Sequence, residues 1–168
     1  MDETAIRSLE DIWPLQAELN RKAGFDTRAL GAALAAALDA ADTPNETPEA
    51  DAEAPAAEER LAAGRAIKNY LDALAAECHE LRDCLSWKHW YREAREGRQY
   101  ELQDVQNARV GASDMLFFWV SICQLLGLEP ADVYRLYAAK LGINHRRQDE
   151  DRAQADHGRY ENENRRVV

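Results

Sequence analysis

With 168 residues and a formal net charge of −10 at pH 7, the chain is long enough for one domain with its own core. The negative charge argues against binding to nucleic acid or anionic membranes, and the longest apolar stretch is too short to span a bilayer. Three sparse cysteines form no disulfide framework, and a start without basic residues or an apolar run indicates no signal peptide, so we expect a cytoplasmic location.

Nearly every segment predicts helix, because alanine and leucine are frequent, β-branched residues are few and period-two alternation is absent. The first helix is expected over residues 4–22, with Pro14 kinking or dividing it and Gly24 ending it. Asp26 is suited to cap a second helix. Residues 42–57, rich in Pro, Glu, Ala and Thr, are expected to form a flexible connection.

The third helix is expected over residues 58–85 and carries two stripes. Its large apolar residues follow a spacing of 4, 3, 4, 3, 4 and predict a face toward a bundle partner. These residues are Ile67, Leu71, Leu74, Cys78, Leu81 and Leu85. The second stripe consists of Ala73, Glu77, Glu80 and Cys84, so two carboxylates are expected to border the core.

The fourth and fifth helices complete the predicted bundle. The fourth is expected over residues 101–126, ended by Gly127, and the fifth begins near Pro130, which suits a first helical turn. The predicted buried face of the fourth helix consists of Leu102, Val105, Ala112, Leu116, Trp119, Cys123 and Leu126. The tail after about residue 149 is highly charged and is expected to fray. We therefore predict one all-α domain over residues 1–168, a bundle of four to five helices.

Acidic residues on two of these helices suggest a metal site. Glu77 and Glu80 are three apart, so they share a helix face, and a divalent cation would relieve their repulsion. Asn107, Gly111 and Asp114 share a face of the fourth helix, and Asp114 precedes its most apolar part, which predicts partial burial. Oxygen ligands favour Mg²⁺ or Mn²⁺. The alternatives are an exposed acidic pair and a surface aspartate paired with an arginine.

A polar face on the fifth helix suggests phosphate binding. Lys140, Asn144, Arg147 and Gln148 are spaced by one helical turn and combine a point cation, amides and a guanidinium group. The alternative is a solvated basic end of a helix, which the helix dipole favours.

The segment 87–90, Trp-Lys-His-Trp, follows the third helix and has two open interpretations. Its aromatic rings could stack on a base, or they could close the end of the bundle with the polar groups outward. Zinc binding by Cys78, His79, Cys84 and His89 is rejected, because the two cysteines are six apart on a helix and no C-x-x-C is present.

Four segments, taken in order, resemble motifs of one family. Residues 15–20 are similar to Leu-Gln-x-x-Leu-Asn, residues 77–90 to E-x-x-E-L…W-K-x-W, residues 107–118 to the segment with an E-x-x-D pair, and residues 140–148 to K-x-x-x-N-x-x-R-Q. The chain thus resembles the dimeric dUTPase branch of the all-α NTP pyrophosphatase, or MazG-like, superfamily. It is also similar to the related phage dCTP pyrophosphatases.

The resemblance implies a Mg²⁺-dependent enzyme that forms a two-fold homodimer. It would hydrolyse a pyrimidine deoxynucleoside triphosphate, dUTP first among them, to the monophosphate and pyrophosphate. The implied metal ligands are Glu77, Glu80 and Asp114, and the implied catalytic residues are Glu80, Glu77 and Lys140. The implied phosphate-binding residues are Lys88, Lys140, Asn144 and Arg147, and the implied nucleoside-binding residues are Gln16, Asn20, Trp87 and Asn107.

Three departures from the family pattern keep alternatives open. Gly111 stands where the family has a metal-binding Glu, Phe117 stands where a His is common, and the family's Gly-Tyr is displaced to residues 158–160. The alternatives are a dCTP or broader dNTP pyrophosphatase, a catalytically weakened nucleotide-binding or regulatory relative, and a purely structural helical dimer.

Overall fold

The fold, taken from a computed structural model, is described for residues 6–42 and 50–149, and its regular elements there are all helices. They are Leu9–Lys22 (α1), Thr27–Asp42 (α2), Ala50–Asp83 (α3), Arg92–Arg95 (α4), Val105–Leu125 (α5) and Pro130–Asp149 (α6). The described residues contain no strand, only an isolated antiparallel bridge between Leu85 and Leu102. The all-α prediction is therefore confirmed, although the described residues form six helices instead of the predicted four to five; the short α4 was not predicted.

The chain divides into two compact units, Met1–Gly127 and Leu128–Val168. In the first unit, α5 is the central helix, because it packs against α1, α2 and α3, and its contact with α3 is the most extensive. Helix α2 also packs on α3 and, more lightly, on α1. The described part of the second unit contains α6.

Helix α1 is continuous through Pro14, so the predicted division into two pieces is wrong. A reciprocal cap starts the helix: the Asp11 carboxylate accepts from the backbone N–H of Ser8 at 3.1 Å. Trp13 is only 2% exposed and meets the ring of Trp119 edge-on at 6.4 Å, so packing on α5 holds the helix together around the proline. Gly24, with φ of +90°, lies just beyond the end of α1 as predicted.

Helix α2 begins as predicted and crosses α5 at very short range. The carboxylate of Asp26 accepts from the backbone N–H of Ala29 at 3.0 Å, which confirms the predicted cap. A Cβ atom placed on Gly31 would overlap the backbone carbonyl oxygen of Gln124. Only glycine therefore permits this approach of α2 to α5.

Helix α3 begins at Ala50, inside the segment expected to be a flexible connection, whereas residues 43–49 lie outside the described part. The predicted apolar face of α3 is wrong in part, because Leu71 is 49% exposed and Cys78 is exposed. The other members of that face are half-buried, namely Ile67, Leu74, Leu81 and Leu85. Ala63 is buried within α3, and Cys84 is buried just after its end. In the second stripe Ala73 and Glu77 are half-buried and Glu80 is exposed, so both stripes contribute to the inward side.

The predicted buried face of α5 is also wrong for most of its members. Cys123 is buried and Leu116 is half-buried, but Leu102, Val105, Ala112, Trp119 and Leu126 are exposed. The helix instead buries Val120 and Leu125 together with two polar residues, Ser121 and Gln124. Both polar side chains form hydrogen bonds with residues outside α5, so their burial costs little free energy.

Helix α6 begins at Pro130, as predicted, and continues to Asp149, so residues 140–148 lie on a helix. The expected tail and the segment 158–160 lie outside the described residues. Within the described ranges, no single helix is both long and apolar enough to cross a membrane; α5 and Pro130–Arg146 meet that test only when taken together.

Candidate functional site

A cavity of about 490 Å³ opens beside α1, α3 and α5 in the first unit. Its lining is mainly apolar, with a small number of polar side chains. The polar ones are Gln16, Asn20, Asn69, Tyr70, Glu77 and Asp114. An apolar cavity with a few convergent polar groups is the usual form of a small-molecule site.

One part of the cavity is an aromatic wall made by Phe25, Tyr70 and Phe118. The ring of Tyr70 lies 6.5 Å from that of Phe25 and 6.4 Å from that of Phe118, measured between centroids. Burial raises the pKa of Tyr70, and a hydrogen bond with Ser121 opposes that shift. Rings at these separations offer a flat, polarisable surface that suits a planar heterocycle.

Two carboxylates from different helices line the same cavity. Glu77 is contributed by α3 and Asp114 by α5, and both are half-buried. Glu80, the third predicted ligand, is exposed and is not among the residues that line the cavity. Burial, and then the charges of Glu80 and Asp114, raises the pKa of Glu77. In the described part of the chain, no ion pair joins any of the three to a basic side chain. Their mutual repulsion is therefore uncompensated within those residues.

The donor set suits Mg²⁺, although it forms no complete cage. Among the described residues, no group of three or more His, Cys, Asp and Glu side chains surrounds a single point. Mg²⁺ commonly binds through one or two carboxylates plus substrate phosphates and water, so Glu77 and Asp114 are enough to begin such a site. Oxygen donors and unrelieved negative charge both favour a hard divalent cation.

Gly111 faces α3 and leaves room for a side chain. The nearest atom that a Cβ at this position would meet is Cβ of Leu81, 4.0 Å away, which is an ordinary van der Waals contact. Position 111 is one turn before Asp114 on α5. The carboxylate expected there from the family pattern is missing, although the backbone leaves room for the Cβ atom of a side chain.

Gln16 and Asn20 lie at the buried end of the cavity, on consecutive turns of α1. They are 5% and 4% exposed, and Gln16 Nε2 donates to Asn20 Oδ1 at 2.9 Å. Both amides belong to a buried hydrogen-bond network. Its other side-chain members are Thr27, Ser121 and Gln124.

Three other predicted site residues lie around the C-terminal end of α3 and do not line this cavity. The indole N–H of Trp87 donates to Asp83 at 2.8 Å, and the guanidinium carbon of Arg82 lies 4.2 Å above the ring. The ammonium group of Lys88 is 5.4 Å from the same ring. Asn107, in the first turn of α5, donates from Nδ2 to the sulfur of Cys84 at 3.5 Å.

The predicted phosphate-binding residues of the C-terminal motif lie on α6, in the second unit. Lys140 is half-buried and Asn144 is exposed. Arg147 is on the same helix, but its side chain lies outside the described part.

Sequence reasoning missed the aromatic wall and the second layer of the polar network. Ser121 and Gln124 gave a usable signal, since two polar residues three apart interrupt the most apolar part of α5. Thr27 gave no such signal, because threonine is common at the start of a helix.

Comparison of the chain with protein-family models, with curated proteins and with solved structures finds no match. The functional conclusion therefore depends on the residues and on the geometry of the cavity.

Proposed function

We propose that this chain is a Mg²⁺-dependent pyrophosphohydrolase of a pyrimidine deoxynucleoside triphosphate, with dUTP as its first substrate, and that its bundle is MazG-like. One observation carries the proposal. The cavity that holds Glu77 and Asp114 also holds the Gln16–Asn20 amide pair and an aromatic wall. A nucleotide requires carboxylates for its metal ion and polar and aromatic groups for its base, and both kinds of residue line this cavity.

Each group of residues has a task in the proposed reaction. The aromatic wall and Gln16 would hold the base, while Glu77 and Asp114 would hold the cation. Glu80 would orient or deprotonate the water that attacks the α-phosphorus, so that pyrophosphate leaves. Bound Mg²⁺ would supply neutralisation of the triphosphate and a more acidic water. The family resemblance assigns the phosphates to Lys88, Lys140, Asn144 and Arg147, and for these residues the assignment comes from sequence alone.

The experiment that tests the function is a product analysis. The full chain is incubated with each dNTP and Mg²⁺, and the products are resolved chromatographically. We expect the monophosphate and pyrophosphate, with loss of turnover in Glu77→Gln and in metal-free buffer. Asp72→Asn is the control, because Asp72 is an exposed α3 carboxylate paired with Lys68 and away from the cavity. Release of orthophosphate would exclude the mechanism.

A second candidate, a nucleotide-binding relative with weak or no turnover, is favoured by Gly111. The substitution Gly111→Glu separates the two, since the space beside Leu81 accepts a side chain. A large gain in pyrophosphate release in Gly111→Glu would support the weakened relative. A parent chain that is already fully active would refute it.

The proposed base, uracil, is supported by the resemblance at Gln16 and Asn20, and cytosine is the runner-up. The same product analysis decides between them. Turnover of dCTP at a higher kcat/KM than dUTP would reverse the preference.

The proposed homodimer is supported by apolar side chains left uncovered on the first unit. Leu71 and Cys78 are exposed two turns apart on α3, and Phe117 and Trp119 are 45% and 36% exposed on α5. Exposed apolar side chains on α3 and α5 offer contact area to a second chain, and Phe117 among them also lines the cavity.

A further inference from the structure

The buried network has a fixed hydrogen-bond direction, which begins at a backbone carbonyl. The carbonyl oxygen of Trp13 can only accept, and Nε2 of Gln124 donates to it at 2.8 Å. Gln124 therefore presents its oxygen to Thr27, whose hydroxyl donates at 2.6 Å. Thr27 in turn accepts from Nδ2 of Asn20 at 3.1 Å, so Oδ1 of Asn20 faces Gln16 and accepts from Nε2 at 2.9 Å.

The contacts of Ser121 are compatible with the same direction. Its hydroxyl donates to the carbonyl oxygen of Phe117 at 2.8 Å, and the same hydroxyl also neighbours Oδ1 of Asn20 at 3.4 Å and the hydroxyl of Tyr70. The Ser121 oxygen then accepts from Nε2 of Gln16 at 3.1 Å and from Nδ2 of Asn20 at 3.0 Å. Flipping either amide would set oxygen against oxygen or leave a buried donor unpaired, both of which are costly.

The network leaves one polar atom for a ligand. Both amide hydrogens of Gln16 are used by Asn20 and Ser121, and its Oε1 has no hydrogen-bond partner among the described residues. No buried side-chain nitrogen or oxygen in the described ranges lacks a partner, so Oε1 must reach the accessible surface. Gln16 lines the cavity of Glu77 and Asp114 and also a second cavity beside α1 and α5. Asn20 has no donor hydrogen left, because Thr27 and Ser121 take both.

We infer that Thr27, Ser121 and Gln124 are positioning residues that lock Gln16 as a hydrogen-bond acceptor, so that the cavity selects a base edge carrying an N–H donor. The inference rests on the proposed function and refines it: Asn20 acts through Gln16 rather than on the ligand. A uracil ring offers its N3–H to such an acceptor, and a ring whose corresponding position bears no hydrogen leaves Oε1 unpaired.

The test measures selectivity by calorimetric titration of the full chain with dUMP and with N3-methyl-dUMP. We expect wild type to bind dUMP at least about tenfold more tightly, because a closed site built to pair with an N–H rejects an analogue lacking it. The double variant Thr27→Val/Ser121→Ala removes both hydroxyl groups that fix the network, so the Gln16 amide can rotate. The affinities for dUMP and N3-methyl-dUMP should then differ by no more than about threefold. Thr27→Ser keeps the hydroxyl and should keep the wild-type ratio.

Three results would overturn the inference. The first is equal binding of the two nucleotides by wild type, and the second is no binding of dUMP. The third is an unchanged affinity ratio in a double variant that still melts cooperatively. That result would assign the selectivity to steric exclusion of the methyl group. If the double variant fails to fold, Thr27→Val alone, compared with Thr27→Ser, gives the same comparison.

Hydrolysis is measured separately from binding, so that a failure of the inference and a failure of the proposed function can be told apart. Pyrophosphate release with equal use of dUTP and its N3-methyl analogue would leave the proposed function standing and refute the inference. Tighter binding of dUMP than of N3-methyl-dUMP, without any turnover, would leave the inference standing and refute the proposed function.

Discussion

At the scale of single residues, the site depends on placing charged and polar groups where water is scarce. Glu77 is the clearest case, because partial burial and two neighbouring carboxylates raise its pKa above the ordinary value of 4.5. The folded chain therefore keeps this proton to a higher pH than the unfolded chain does. Ionised Glu77 therefore lowers the stability of the folded chain. A cation bound beside this carboxylate would remove that cost, so the cost favours cation binding.

Glu77→Gln should consequently raise the melting temperature at pH 7. The carboxyl group contributes its full share of stability below pH 4.5, and that share is lost as the pH rises through the folded pKa. The difference between variant and wild type should therefore shrink at pH 4. Thermal melts at the two pH values measure it, with Asp72→Asn as the control for removing an exposed charge. A variant less stable than wild type at pH 7 would contradict this account.

Cysteine reactivity gives a second test at this scale. Burial raises the pKa of Cys123 to about 11, so its thiolate is scarce at pH 8. Cys84 is also buried, whereas Cys78 is exposed. Brief treatment of the native protein with iodoacetamide should modify Cys78 alone, as read by peptide mass spectrometry, and all three cysteines should react in denaturant. Rapid native modification of Cys123 would disprove the described packing of α5.

At the scale of helices, α2 and α5 cross with their backbones close together at Gly31. Any side chain there collides with the backbone of α5, and a backbone cannot rotate away as a side chain can. Thr27, one turn earlier on α2, depends on this approach for its hydrogen bond to Gln124.

Gly31→Ala should therefore destabilise the protein by about 1–3 kcal/mol, the usual cost of overpacking. Gly64→Ala is the matched control, because Gly64 lies within α3 and a Cβ there meets nothing within 4 Å. The control should stabilise the helix by up to about 1 kcal/mol. Urea unfolding of both variants measures the free energies, and equal effects of the two substitutions would rule out the tight crossing.

Helix content was predictable from the sequence, but the direction each helix faces was predictable only in part. Composition and the signals at Gly24, Asp26 and Pro130 located the helix ends, since these effects are local. The stripe through Leu71 was placed inward because large apolar residues usually define a core. In fact, Leu71 and Cys78 of that stripe are exposed, and its other members are only half-buried.

The candidate site shows the same limit. Spacing along the helix placed Glu77 and Asp114 on inward faces, and the structure brings both to one cavity. Ser121 and Gln124 interrupt an apolar run, which is a signal of buried polar residues, but their partners on α1 and α2 could not be predicted, because those contacts exist only after the helices have packed together.

At the scale of the whole molecule, the uncovered apolar side chains bear on assembly. Leu71 is exposed on the longest helix, where a charge would be harmless in a monomer and costly inside an interface.

We expect light scattering coupled to gel filtration to give twice the chain mass for wild type. Leu71→Glu should shift the protein toward the monomer without lowering its helix content. Leu61→Glu places the same charge near the start of α3, where Leu61 is likewise exposed, and serves as the comparison. A wild-type chain that elutes as a monomer at micromolar concentration would refute the homodimer.

The buried hydrogen bonds join amides of α1 and α5 to the Thr27 hydroxyl of α2, so the orientation of Gln16 is fixed only when all three helices are packed together. Helices α3 and α5, which carry Glu77 and Asp114, contact each other more extensively than either contacts α2. On the proposed function, displacement of α2 would therefore impair base selection before it impairs hydrolysis, and errors in base selection would be an early sign of loosening at α2.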